Sequence, residues 1–175
     1  MTSSGQGQRS PGQSRCVHPR QPPMDWHDYV DEDDDAVEHF AEWLSTLKPF
    51  ARRDVIAMMD TLEARASRGE VVIPDDARLP GDLDAIRSDP DIYELKWTLL
   101  SKKIRQYHAE PRLLPDHLVR LHLHIKVDSG RGDDSADAQQ QVEIDKAVAR
   151  YHDGEPSTWG VWRTPTQPPG CRPIV

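Results

Sequence analysis

The chain has 175 residues, 36% apolar and 30% charged, which suits one packed domain with tails and excludes a chain buried throughout. Its net charge of −8 is unevenly laid out. Residues 24–91 hold 19 acidic and 7 basic side chains, whereas residues 93–126 hold 3 acidic and 7 basic, so a basic stretch sits inside an acidic protein and points to an anionic partner.

Residues 1–23 are rich in Ser, Gln, Gly, Pro and Arg with little to bury, so a disordered tail is expected there, with Met24 as a second possible start. This segment lacks the apolar run of a secretory signal, and no stretch has the length of a membrane span, so a cytoplasmic, membrane-free protein is expected. Cys16 and Cys171 lie in the two end segments and read as incidental thiols. "MDWHDYV" allows a short strand. The acids of "DEDDD" at 31–35 suit the positive end of a helix whose apolar stripe is Val37, Phe40, Ala41, Leu44 and Leu47. Pro49 starts a second helix with Ala51, Val55, Met58, Met59, Leu62 and Ala66 as its stripe and Gly69 as its stop. The two should form a hairpin.

After a Pro/Gly/Asp-rich loop with one extended piece at "VVI", three strands are predicted at 92–97, 102–110 and 117–127. Their short connections allow only antiparallel neighbours. "QQQVEIDKAVARYHD" places Val142, Ile144, Ala147, Val148 and Tyr151 on a closing helix, and residues 154–175 read as an irregular tail whose Trp159 and Trp162 pack back on the domain.

Side chains two apart on a strand share a face. Strict alternation along "LVRLHLHIK" puts Val119, Leu121, Leu123, Ile125 and Val127 against the helices and Arg120, His122, His124 and Lys126 on an open side. Pairing the three strands adds Lys96, Lys103, Arg105 and Tyr107 to that side, with Glu94 as its only acid. Folding does not demand such a concentration of like charge, so a polyanion is expected on it. Two histidines at spacing two can also chelate zinc or iron, with His108 or His117 as a third ligand, but the flanking Arg120 and Lys126 disfavour this and no metal or cofactor is expected. The chemistry favoured by these groups is RNA cleavage. The 2'-hydroxyl is the nucleophile, Lys, His and Tyr transfer protons, and Arg clamps the phosphate without metal.

The order of elements, with "YELKW" at 93–97, "IRQY" at 104–107, "LVRLHLHIK" at 118–126 and "VEIDKAVAR" at 142–150, resembles the RelE/HigB-like toxins of type II toxin-antitoxin systems, particularly the phage-derived type. The likeness covers residues 24–153, between the tails 1–23 and 154–175. It implies an α+β, microbial RNase-like fold: a small antiparallel sheet packed on an N-terminal helical hairpin, with a C-terminal helix. It also implies an mRNA endoribonuclease acting on the ribosome, held in check by an antitoxin that is usually a small helix-turn-helix DNA-binding protein. Matched by position, Arg105 would stabilise the phosphate, Lys96 and Lys126 would be basic sheet positions, and His122 or Tyr107 would move protons. Lys102, Lys103, Arg120 and His124 complete the expected RNA contact. A non-catalytic RNA- or protein-binding module on the same scaffold is the alternative.

Overall fold

The computed structural model describes residues 10–30, 36–75, 81–99, 101–126 and 134–162, with side chains omitted for 36–39 and 134–136. Five strands form one sheet: β1 (Asp25–Asp28), β2 (Leu83–Ala85), β3 (Ile92–Leu99), β4 (Lys102–Ala109) and β5 (His117–Lys126). They lie in the order β1-β5-β4-β3-β2. The α+β class holds. The sheet is mixed rather than antiparallel, because β1 runs parallel to β5 with Asp25 opposite His117. The chain between those two strands is long enough for the crossover that a parallel pair requires. The extended piece expected at "VVI" is irregular, and the short edge strand forms at Leu83–Ala85 instead.

Helices α1 (Ala36–Ser45) and α2 (Pro49–Ser67) cover one sheet face. Val55, Met59, Leu62 and Ala66 of α2 are buried with Tyr93, Leu95, Trp97, Ile104 and Leu118, whereas Met58 is 41% exposed. Gly69 ends α2 with φ +72°, and a Cβ there would lie 1.9 Å from the His18 carbonyl oxygen, so both the turn and the close approach of the N-terminal segment require glycine. The acidic run 31–35 and the loop 127–133, including Val127, lie outside the described residues.

The opposite sheet face is not open. Helix α3 (Asp134–Gly154) and the 3-10 turn that follows it lie on that side, where Ala147 and Trp159 are buried with Ile92, Tyr107, Val119 and Leu121. Trp159 donates through Nε1 to the Tyr151 carbonyl at 2.7 Å, so the "STWGVW" segment does pack back, while Trp162 meets His117 edge-on and stays exposed. The expected disorder of residues 1–23 is corrected for 10–23, which pass through two 3-10 turns (Pro11–Gln13 and Arg15–Val17). This segment carries few apolar groups but is held by specific bonds: Met24 N–H to Ser67 O at 2.8 Å, Val71 N–H to Cys16 O at 3.0 Å, and Arg15 to the carbonyls of Leu114, Pro115 and His117. Cys16 is a fully buried core residue rather than an incidental one. The packed unit thus runs beyond 24–153 at both ends.

Candidate functional site

The face under α3 is set by the pairing of β3, β4 and β5. Glu94 lies opposite Tyr107, which lies opposite His122; Lys96 opposite Arg105, opposite His124; and Thr98 opposite Lys103, opposite Lys126. Cross-strand partners share a face, so three rows of three side chains form a graded patch. The first row is buried, with Tyr107 fully so, and the last row is solvent-accessible, with Lys103 and Lys126 half-buried and Thr98 exposed. Lys103 and Lys126 face each other in register, where like charges repel.

Arg120 does not belong to this patch. The β4–β5 ladder skips between Tyr107 and His108: Tyr107 pairs with His122 and His108 with Arg120, which leaves Leu121 as an extra residue. A bulge of this kind reverses the facing of everything beyond it. Leu118 and Arg120 therefore lie on the α2 side with Leu123, while Val119 and Leu121 lie with His122 and His124 on the α3 side. Arg120 is bound by both Glu63 oxygens, at 2.5 and 2.7 Å from Nη2, and by Asp28, with Trp26 under its guanidinium at 5.9 Å. Lys102 is exposed and alternates away from Lys103 and Arg105, so it too falls outside the patch.

The expectation of a nearly acid-free face is corrected as well. Lys96 pairs with Asp84, Arg105 lies 3.4 Å from Glu94, and α3 brings Glu143 to His122. Burial raises the Glu94 carboxyl above its ordinary range, with Arg105 opposing it. Burial and the adjacent Glu94 push the Tyr107 phenol well above its ordinary value, which removes Tyr107 as a proton acceptor near neutral pH.

His122 Nε2 is 2.5 Å from Glu143 Oε2, and its Nδ1 is 3.2 Å from Arg150 Nη1. A guanidinium only donates, so Nδ1 accepts and the proton on Nε2 is given to Glu143. Burial lowers the affinity of His122 for a second proton, against the pull of Glu143. His122 is neutral and both its nitrogens are engaged. His124 differs: burial, then the neighbouring His122, lowers it to about 4, and neither ring nitrogen has a hydrogen-bond partner among the described residues. An unsatisfied buried nitrogen costs roughly 1–3 kcal/mol, so His124 is held at a price that packing alone does not explain. The three rings of Tyr107, His122 and His124 are nearly parallel, with centroids 5.6–6.5 Å apart, which fixes both imidazoles. A cavity of about 240 Å³ adjoins His124, lined by Lys126, Gln139, Gln140, Val142 and Glu143. Lys96, Lys103 and Arg105 line a second opening with Trp97.

Glu143, Gln140 and Arg150 were not legible as site residues. Together with Ala147 they recur at helical spacing on the side of α3 that meets the sheet, while Val142, expected in the core, is 53% exposed. His108 and His117, considered above as partners of His122 and His124, lie elsewhere. His108 is on the α2 side beside Cys16 and Glu110, and His117 pairs with His27 at 2.9 Å.

Cys16, His108 and Glu110 form a second, buried cluster in which His108 Nδ1 has no partner among the described residues. The Glu110 carboxylate receives Ser14 Oγ and the Arg15 backbone N–H, with Cys16 Sγ at 3.5 Å. Burial alone would raise Glu110, but the hydrogen bond and charge of His108, with Ser14 and Arg15, lower it to about 2. Burial, then Glu110, pushes the Cys16 thiol well above its ordinary value, which leaves it an inert buried donor. No protein-family model, curated protein or solved structure matches this chain.

Proposed function

We propose that the protein is a RelE/HigB-like toxin endoribonuclease, and that its patch under the outer end of α3 binds an RNA phosphodiester and cleaves it. The observation that carries this reading is the register: seven of the nine residues selected from the sequence (Lys96, Lys103, Arg105, Tyr107, His122, His124 and Lys126) occupy one three-by-three block of the sheet. Within it the phosphate sits between Lys103, Lys126 and Arg105, whose positive charges attract it. His124, neutral and with ring nitrogens unengaged among the described residues, takes the proton of the 2'-hydroxyl. The oxygen attacks phosphorus, the bond to the 5'-oxygen breaks, and the Lys126 ammonium supplies that oxygen's proton, leaving a 2',3'-cyclic phosphate and a free 5'-hydroxyl. The mRNA substrate, the ribosome as the place of cleavage and a helix-turn-helix antitoxin are parts of the same proposal.

One observation favours a second reading, a non-catalytic module that binds RNA or protein: Lys96, Arg105 and His122 are each already paired with an acid. Inducing the full chain in bacteria and mapping mRNA 5'-ends separates the two. Growth arrest with new cuts in translated codons, both lost in His124→Ala, is the expected outcome. Intact mRNA from folded, expressed protein overturns the nuclease reading and leaves the binding module.

A further inference from the structure

We propose that His122, His124 and Glu143 form a binding site for a divalent transition-metal ion of the zinc class. One ligand atom from each lies within 4.8 Å of the other two. Donors bound to zinc at about 2.0–2.2 Å stand roughly 3.3 Å apart in tetrahedral geometry, so shifts well under the length of a side chain convert the cluster into a coordination shell. Two imidazoles and one carboxylate form a donor set that zinc accepts while keeping a further position for water.

Three features of the cluster favour a metal over a purely structural role. His124 offers two buried nitrogens with no partner among the described residues, and a metal ion satisfies one of them directly. The ring stack with Tyr107 holds both imidazoles before any ion arrives, which lowers the entropy cost of binding. The adjoining cavity gives an ion a path from solvent along Gln140 and Glu143.

The charges around the cluster set what must move. Lys146 Nζ lies 3.0 and 3.1 Å from the Glu143 oxygens, but its side chain is half exposed and swings into water when the metal takes its place. The metal displaces the Nε2 proton of His122 to Nδ1, so Arg150 gives up its contact there and keeps its bond to Leu121 O at 2.7 Å. Lys126 and Arg105 remain nearby and weaken a bare cation, which favours the strong imidazole binders over calcium or magnesium. On the reading above, an occupied site would also take the proton acceptor away from RNA; metal binding itself does not depend on that reading.

The test is calorimetric titration of the full chain, purified without a histidine tag, with Zn²⁺ at neutral pH. One ion per chain is expected. His124→Ala and Glu143→Gln should each weaken binding by more than the roughly 10–100-fold that removing a mere hydrogen-bonding neighbour of a ligand costs. His27→Ala, which removes the other imidazole pair, and Cys16→Ser, which alters the other His/Glu cluster, should leave binding unchanged. Circular dichroism confirms that each variant is folded. Absence of binding, or binding that survives both His124→Ala and Glu143→Gln, overturns the site; RNA cleavage measured separately decides the nuclease reading.

Discussion

Both helical layers send a glutamate to β5, and the two are treated very differently. Glu63 of α2 meets Arg120 through both oxygens and also accepts from Gln106 Nε2 at 2.7 Å, and Asp28 takes another edge of the same guanidinium. Glu143 of α3 meets His122, leans on an exposed lysine and leaves His124 beside it without a partner among the described residues. The first cluster has its charges matched in the interior, with Gln106 Oε1 its one atom without a partner among the described residues; the second leaves both nitrogens of a histidine without one next to a cavity. Matched charge is what architecture requires, whereas a ring with both nitrogens unmatched beside a cavity points to something that arrives from outside.

The sharpest way to break this contrast is to remove Arg120. Arg120→Met leaves the Glu63 carboxylate buried without its main partner, which costs about 3–5 kcal/mol in urea unfolding. Adding Glu63→Leu should recover part of the loss, because an apolar pair of similar volume replaces a buried ion pair at little net cost. If Arg120→Met is as stable as the parent, the α2-side cluster is not structural and the comparison fails.

Glu110 extends the charge-matched class to the N-terminal segment, although His108 Nδ1 beside it has no partner among the described residues. Its carboxyl is held near 2 against an ordinary value of 4.5. A depressed carboxyl contributes stability that is fully present above its unfolded value and is lost as pH falls through the folded one. The window is therefore pH 4.5 down to 2, and the contribution is about 3 kcal/mol. Glu110→Gln should be less stable than the parent at pH 7 by that order, and the gap should close towards pH 2. A gap independent of pH would place the effect in packing rather than charge.

These contrasts also explain what was and was not legible in the sequence. The second helix was, because Val55, Leu62 and Ala66 keep an unbroken 3.6-residue stripe that only one face can bury. The three long strands were, and most of the candidate site with them. The bulge was not: Leu121 is apolar and suits strict alternation, so nothing marks it as the extra residue that sends Arg120 to the other face. The N-terminal segment was hidden for a different reason. Composition measures apolar area, and residues 10–23 are held chiefly by a buried cysteine and the hydrogen bonds of Ser14 and Arg15. On α3, periodicity detects apolar stripes, but the side that meets the sheet is partly polar, through Gln140, Glu143 and Arg150.

A smaller effect, of opposite sign, is expected at His124. His124→Phe keeps the stack with Tyr107 and removes two unsatisfied nitrogens, so stability should rise by about 1 kcal/mol, or roughly 2–4 °C in melting temperature. A loss of 2 kcal/mol or more would mean that the imidazole is anchored, and the α3 side would then join the matched class.

The smallest effect tests the two helix glutamates directly. Glu143→Gln retains an acceptor for the His122 Nε2 proton and loses only the charge attraction to Lys146, whose side chain is 51% exposed and screened by water. The expected cost is about 0.5 kcal/mol, within the range of exposed ion pairs. Glu63→Gln, by contrast, takes the charge from a carboxylate that a buried guanidinium grips at three points, and it should cost several times as much. If the two substitutions cost the same, the charge on Glu143 is as much a part of the fold as that on Glu63. The α3-side cluster would then need no external ligand to account for its acid, and His124 alone would have to carry the case for a site.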